Sequence, residues 1–305
     1  MRRLALTVGE GDARERLDSF VARAGGISRG LARTLIERGG VWVDAKRTKV
    51  ASRGLHPGQR VEVVLEESGR RAASPSNAAL TVLFEDAALI AVDKPAGVNA
   101  QATAASDQDG LTARVARHLG LSSDRDVGLV HRLDRETSGV TVFGKTPSAT
   151  AALALAFREG TVRKRYLAIA AGPLAQAQDV DAWIAKDPAR PGLFRACKPG
   201  DGVPAFTRIE PLSAPGPLTA CACLPRTGRT HQIRVHLASL QAPILGDHKY
   251  GGPAEHDGLR AERVLLHAEA LALSHPETGA PLTLRAPWPA DLAQVLTLLG
   301  VKSSP

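Results

Sequence analysis

The residues best suited to chemistry in this sequence surround one aspartate. Asp134 follows His131 and Arg132 and is followed directly by Arg135. Because nearby positive charge favours the ionised form of a carboxylate, we expect Asp134 to be charged at neutral pH. An ionised carboxylate can act as a nucleophile or as a general base. A Ser-Gly pair and the strand-like run Val140–Phe143 come next, so we predict that Asp134 lies on a turn before a strand.

Two further segments carry residue types that suit the same site. Tyr166 ends the basic run 163–166, although strands also favour tyrosine simply as a core residue. Arg234 ends the polar run 227–234, although most lone arginines are exposed surface residues. From the residues alone, Tyr166 could be a site residue or a core residue, and Arg234 could be a site residue or a surface residue.

Residues 131–139 closely resemble the catalytic motif of the RluA-type pseudouridine synthases, which isomerise uridine in structured RNA. The resemblance implies that Asp134 is the essential aspartate, that Tyr166 stacks on the target base, and that Arg234 pairs with Asp134. It also implies that Arg132 helps to fill the gap left by a flipped nucleotide. In these motifs we expect supporting roles for His131, Arg135, Thr137, Gly139, Arg229, His231 and Gln232.

The resemblance covers most of the chain beyond residue 80. Residues 84–97 are similar to the first motif of the family, and residues 266–287 are similar to its C-terminal motif. Asp93 stands where asparagine is common in the family, and residues 98–101 lack a histidine that often occurs there. The fold that the resemblance implies is α+β, with a mixed and largely antiparallel sheet.

Pseudouridine formation breaks the bond from uracil N1 to the ribose and joins C5 of that base to the same sugar carbon. It involves no redox change, so we expect neither a metal nor another cofactor. Asp134 could attack the anomeric carbon as a nucleophile or remove a proton from C2′ as a base, and the sequence leaves both routes open. The alternative from another class is a non-catalytic RNA-binding or ribosome-assembly protein, which the joint presence of Asp134, Tyr166 and Arg234 disfavours.

The first 66 residues are basic, with thirteen Lys or Arg against eight Asp or Glu. Ser28 is typical of a helix N-cap, and Leu31 and Leu35 predict the apolar stripe of the helix that follows. Motifs in this segment occur in the order and spacing of the S-four type RNA-binding module, which the segment resembles. Charge alone would equally suit a solvated basic face. The cations that we expect this helix to present to RNA are Arg29, Arg33 and Arg38.

These observations predict three segments. They are an S-four-like α+β RNA-binding domain at 1–66, a flexible linker rich in small residues at 67–79, and a pseudouridine synthase domain at 80–305. Structured RNA is the expected partner. The N-terminal module favours large-subunit (23S) ribosomal RNA, and transfer RNA is the alternative.

The composition limits the remaining classes. A chain of 305 residues suits about two domains, and its net charge of +8 favours a polyanionic partner. No apolar run approaches the ~20 residues of a membrane span, and no signal peptide is recognisable. Three cysteines argue against a disulfide framework. We therefore expect a cytoplasmic protein without membrane contact and, by default, a monomer.

Two motifs for other functions are present and are discounted. Residues 139–146 satisfy the P-loop pattern, but Val140–Phe143 is a β-branched and aromatic run rather than a permissive loop. Pro147 also removes a backbone N–H beside the supposed phosphate site. Cys221 and Cys223 alternate onto one face of a predicted strand, which favours buried structural cysteines over metal ligands.

Overall fold

The structure is a computed structural model that describes residues 2–65, 80–101 and 110–302, with Arg2 described by its backbone alone. Two compact units are present. The described parts of Met1–Ala79 and Val98–Asp126 form the first, and those of Leu80–Gly97 and Val127–Pro305 form the second. The predicted linker at 67–79 lies outside the described residues, and the predicted domain boundaries stay a prediction.

The first unit contains a four-stranded antiparallel sheet in the order β1-β4-β2-β3. Its strands are β1 (Arg2–Thr7), β2 (Val41–Val43), β3 (Lys46–Arg47) and β4 (Arg60–Leu65). Its helices are α1 (Leu17–Gly25), α2 (Arg29–Glu37) and α3 (Leu111–His118).

Helix α2 begins where the sequence predicts, because the Ser28 hydroxyl accepts a hydrogen bond from the backbone N–H of Leu31 at 3.2 Å. The predicted stripe is wrong in one position. Leu31 is exposed, whereas Ala32 is buried with Leu35 and Ile36 in the core of this unit. Positions i, i+3 and i+4 line one helix face, and the Ala32 stripe is the one that meets the sheet core.

The second unit is built on a mixed sheet. Its strands are β5 (Thr81–Glu85), β6 (Leu89–Lys94), β7 (Gly128–Leu129), β8 (Ser138–Gly144), β9 (Arg163–Ala170), β10 (Gln178–Asp181), β11 (Trp183–Lys186), β12 (Phe194–Cys197), β13 (Phe206–Pro211), β14 (Thr219–Pro225), β15 (Glu255–His256), β16 (Leu259–Arg260), β17 (Leu266–Ser274) and β18 (Pro281–Arg285). Its helices are α4 (Pro147–Glu159), α5 (Gln232–Ser239) and α6 (Ala290–Leu298).

Within the described residues, the sheet has ten strands with a main path of β10-β13-β14-β9-β17-β8-β6-β5. Strand β18 pairs with β17, and β7 pairs with β8. Only the pairing of β8 with β17 is parallel among the described strands, which confirms the predicted α+β class with a mixed, largely antiparallel sheet. In the same part of the chain, no helix combines the length and the apolar character needed to cross a bilayer.

Residues of both discounted motifs form strands of the sheet. Strand β8, which contains Val140–Phe143, is buried along its whole length, so the chain forms a strand where a P-loop would need an open phosphate cradle. Cys221 and Cys223 lie side by side on buried β14, with their sulfur atoms 3.9 Å apart. They are core residues of the sheet.

Gly139 lets the central strands approach one another. Its φ is +114°, and a Cβ at this position would lie 2.1 Å from the carbonyl oxygen of Ala268 on β17. An L side chain would therefore meet both an unfavourable backbone conformation and the backbone of the neighbouring strand.

We expect Gly139→Ala to lower the free energy of unfolding by about 3 kcal/mol or more, since backbone strain and a steric clash add. Urea unfolding of the purified variant measures this loss. Gly228→Ala is the matched control, because a Cβ there would meet nothing within 4 Å. A Gly139→Ala protein as stable as this control would contradict the close approach of β8 to β17.

Candidate active site

Asp134 lies on a tight turn just before β8. The backbone N–H of Thr137 donates to the carbonyl of Asp134 at 3.1 Å, which closes the turn. Arg135 ties this turn to the segment after β6. Its carbonyl accepts from the N–H of Gly97 at 2.8 Å, and its Nε donates to the carbonyl of Gly97 at 3.1 Å. The turn is thus held by its own backbone hydrogen bond and by the backbone and side chain of Arg135.

Arg234 on α5 is the cation next to Asp134. Its Nη1 lies 3.4 Å from Oδ2 of Asp134, a long hydrogen bond, and its side chain is only 4% exposed. Its shortest contacts are to another residue. Nε and Nη2 each donate to one carboxylate oxygen of buried Asp247 at 2.7 Å, in a bidentate fork.

Asp247 is a residue of this site that the sequence analysis did not single out. It directly follows Gly246, and its type and position in the sequence alone give it no role. Burial lowers the pKa of Arg234, and the hydrogen bonds and charge of Asp247 outweigh this and raise it above its ordinary value. Arg234 is therefore always charged. The fork to Asp247 holds it in a fixed orientation next to the carboxylate of Asp134.

A pocket opens at Asp134. The predicted site residues that line it are Arg132, Asp134, Thr137, Tyr166, Arg229, His231, Gln232 and Arg234. Two side chains approach the same oxygen of Asp134. Arg234 is 3.4 Å and His231 Nε2 is 3.9 Å from Oδ2, and no hydrogen bond to Oδ1 is present in the described part of the chain. Oδ1 is thus the oxygen available to a substrate.

Tyr166 enters the pocket from β9, which is paired with β14 and β17. Burial raises the pKa of its phenol, and the charge of Asp134 raises it further. The hydroxyl is therefore protonated throughout the physiological range. Tyr166 supplies a neutral aromatic ring beside the carboxylate, as a stacking role for a base requires.

Lys164, two residues earlier on β9, also lines the pocket and was not singled out from the sequence. Its Nζ donates to the carbonyl of Thr227 at 2.9 Å. Burial, together with the charge of Arg229, lowers its pKa from 10.5 to about 8. Its place in the basic run 163–166 is the sequence feature that could have predicted Lys164 as a pocket residue.

This pKa predicts a pH-dependent stability difference. Below about pH 8 the folded protein carries the cost of burying a charged Lys164, and above 10.5 neither state is charged there. Between these values the unfolded chain binds more protons, so stability rises with pH. Relative to Lys164→Met, the wild type should gain on the order of 2 kcal/mol from about pH 7 to about pH 10 in urea unfolding. Lys186→Met, at an exposed position, should show no such trend.

His131 and Gln232 support the pocket from inside the fold. His131 Nε2 accepts the N–H of Val142 at 3.0 Å, and burial lowers the pKa of its imidazole to about 3, so it is neutral. The Gln232 side chain accepts from Thr227 Oγ1 and the N–H of Arg229, at 2.7 and 2.9 Å. Its amide nitrogen donates to β13, which fixes the loop before α5.

The sequence pattern predicts a helix over 230–240 with Thr230 as its cap, and the start of α5 differs from this prediction. Thr230 is not its cap, since the helix begins at Gln232 and His231 occupies the N-cap position without a side-chain capping bond. His231 has φ +57°, a left-handed conformation that is uncommon outside glycine. This backbone directs its imidazole toward the pocket rather than into the helix.

The predicted RNA-binding arginines fall in both units. Arg132 is exposed at the pocket of the second unit. In the first unit, Arg29 lies 3.6 Å from Asp18, and Arg33 pairs with Glu37 at 2.8 Å. Arg38 is half-buried at the C-terminal end of α2.

Known proteins are similar to this chain in both sequence and fold. The RNA pseudouridylate synthase family matches residues 88–239, and the S4 domain matches residues 15–61. Ribosomal large subunit pseudouridine synthase D of Xanthomonas campestris pv. campestris is 38% identical over 257 residues, 80% of this chain and 76% of that protein. The protein of the same name from Neisseria meningitidis serogroup A is 32% identical, covering 99% of this chain and 83% of its own length.

The structural comparison agrees. Human RNA pseudouridylate synthase domain containing 4 superposes with a TM-score of 0.60 at 26% identity, over 74% of this chain and 95% of that one. The chain therefore belongs to the RNA pseudouridylate synthase family. It is an RNA pseudouridine synthase, an isomerase, and it carries an S4 domain near its N-terminus.

Proposed function

We propose that this enzyme isomerises specific uridines of large-subunit ribosomal RNA, with Asp134 as the reacting carboxylate. The observation that carries the chemistry is the geometry of that carboxylate. Asp134 lies in an open pocket with Oδ2 next to a buried arginine and Oδ1 free of hydrogen bonds in the described residues. The proposed substrate is supported by the two relatives named for the large ribosomal subunit and by the S4 match.

Each side chain of the pocket has a distinct proposed task. The target uridine leaves its stack and enters with its ribose against Oδ1 of Asp134, while Arg132 occupies the gap that the base leaves. Tyr166 supports the uracil ring while its N1 bond to the sugar breaks and its C5 bond forms. The proton from C5 is released, and N1 gains one, so the product is an isomer of the substrate. Arg234 keeps Asp134 charged and oriented throughout.

A tritium-release assay tests both the reaction and the substrate. Uridine labelled at C5 loses its tritium to water only when C5 becomes bonded to the sugar. The purified enzyme should release tritium from labelled 23S ribosomal RNA. It should release none from a labelled transfer RNA transcript. Release from transfer RNA alone would contradict the proposed substrate but would leave the reaction in place.

RNA affinity is expected to depend on the cations of α2. Each phosphate contact contributes about one unit to the slope of log affinity against log salt, so Arg33→Gln should weaken binding and reduce that slope by about 1. Glu37→Gln is the matched control, since it removes the anion paired with Arg33 and should strengthen binding. Filter binding of ribosomal RNA over a salt series measures both. Unchanged affinity in both variants would exclude this face of α2 from the interface.

A further inference from the structure

Tyr250 is buried behind the pocket and contacts two functional side chains. It ends a short 3-10 turn, His248–Tyr250, and the guanidinium of Arg234 lies 4.9 Å from the centre of its ring. Its hydroxyl oxygen is 3.1 Å from the backbone nitrogen of Phe194 and 2.7 Å from Nδ1 of His231. The hydroxyl therefore links the backbone of β12 to an imidazole that lines the pocket.

The protons of this chain of contacts can be assigned by counting donors. The N–H of Phe194 can only donate, so the hydroxyl oxygen of Tyr250 accepts that bond. Burial raises the pKa of Tyr250, so the hydroxyl keeps its own proton. The acceptor within reach of that proton is Nδ1 of His231. If Nδ1 carried a proton instead, the buried hydroxyl would lose its acceptor, which is unfavourable for a buried donor.

This assignment determines the remaining ring nitrogen. Burial lowers the pKa of His231, so the imidazole is neutral and carries one proton. With Nδ1 accepting from Tyr250, that proton is on Nε2. Nε2 lies 3.9 Å from Oδ2 of Asp134. An N–H at this position attracts the carboxylate, whereas the other tautomer would place a lone pair against it.

The conformation of His231 is held by its surroundings. The residue keeps a left-handed backbone, and its ring makes edge contacts with Phe194 and Tyr250 at centroid distances of 5.7 and 5.5 Å. A strained backbone beside a reacting group persists only where packing enforces it. The ring is thus aimed at Asp134 by the same two residues that set its protonation.

We infer that Phe194, Tyr250 and His231 form a hydrogen-bond chain that locks His231 in the Nε2–H tautomer, as a second donor directed at Oδ2 of Asp134. Tyr250 and His231 are positioning residues for the carboxylate. Arg234 and His231 then both present an N–H toward Oδ2, and Oδ1 is left to react. This inference rests on the proposed role of Asp134, and it assigns to His231 a directional electrostatic task.

Nitrogen-15 NMR of histidine-labelled enzyme tests the tautomer without any turnover. The His231 ring signals, assigned by their loss in His231→Gln, should show a protonated Nε2 and a bare Nδ1. Tyr250→Phe, which keeps the ring over Arg234 but removes the hydroxyl, should shift these signals toward the other tautomer. A wild-type spectrum with protonated Nδ1, or no change in Tyr250→Phe, would overturn the inference.

Kinetics test whether the donor matters to Asp134. The amide nitrogen of glutamine at this position reaches the place of Nε2, whereas that of asparagine reaches only the place of Nδ1. We expect His231→Asn to lower kcat about tenfold further than His231→Gln, with KM for RNA little changed, because only glutamine places an N–H near Oδ2 of Asp134. Equal kcat in the two variants would overturn the positioning role. Activity in Asp134→Asn would instead refute the proposed function and leave the NMR result standing.

Discussion

Replacing Asp134 by asparagine is expected to reduce pseudouridine formation on the order of 10⁴-fold or more, as for loss of a reacting group in other enzymes. Asparagine fills the same space and can still accept a hydrogen bond from Arg234. It cannot attack a sugar carbon or remove its proton as a carboxylate does. RNA affinity should stay within about threefold, because phosphate contacts elsewhere supply most of it. Tritium release and filter binding measure the two effects separately.

Glu136→Gln is the matched control for this experiment. Glu136 lies on the same turn and carries the same charge, but its side chain lies 3.9 Å from Arg135 and does not line the pocket. Its removal should leave turnover nearly unchanged. If Asp134→Asn kept wild-type turnover, or if both variants lost it equally, the assignment of Asp134 would be wrong.

Replacing Asp247 by asparagine is expected to lower the free energy of unfolding by about 3–5 kcal/mol, because Arg234 would stay buried without its closest anion. The guanidinium would also lose the fork that aims it at Asp134. A displacement of about 1 Å in a reacting group costs on the order of a hundredfold in rate. We therefore expect turnover of the folded variant to fall by about that factor. Urea unfolding and tritium release at a temperature where the variant is folded measure both losses.

The matched control for Asp247 is an ion pair at the surface. Asp179 pairs with Arg208 at 3.2 Å, and both side chains are nearly half exposed. Asp179→Asn should cost less than about 1 kcal/mol and leave turnover unchanged. If Asp247→Asn were as mild as Asp179→Asn, Asp247 would not be the residue that holds Arg234.

The sequence could predict the parts of the site that follow from local pattern. A carboxylate beside cations, a turn before a β-branched run and the motif around Arg234 are all short-range features, and the structure brings Asp134, Tyr166 and Arg234 to one pocket. The cap of α2 at Ser28 is equally local. The catalytic roles themselves stay predictions, as do the cytoplasmic location and the monomeric state.

The remaining features depend on contacts between distant parts of the chain. Asp247 holds Arg234 across a loop, and its spacing in sequence carries no sign of a bidentate pair. His231 takes a left-handed conformation at the N-cap position of α5, so a capping rule applied to Thr230 fails. The parallel pairing of β8 with β17 joins strands more than a hundred residues apart, and no local propensity specifies it.

Pseudouridine mapping on ribosomal RNA is the most direct test that Asp134 isomerises uridines of the large-subunit RNA. Total RNA is taken from cells that express either the wild-type enzyme or Asp134→Asn, and carbodiimide adducts are read as reverse-transcription stops. We expect stops in large-subunit ribosomal RNA that are present with the wild type and absent with Asp134→Asn. Identical stops in both RNA samples would contradict the proposed role of Asp134.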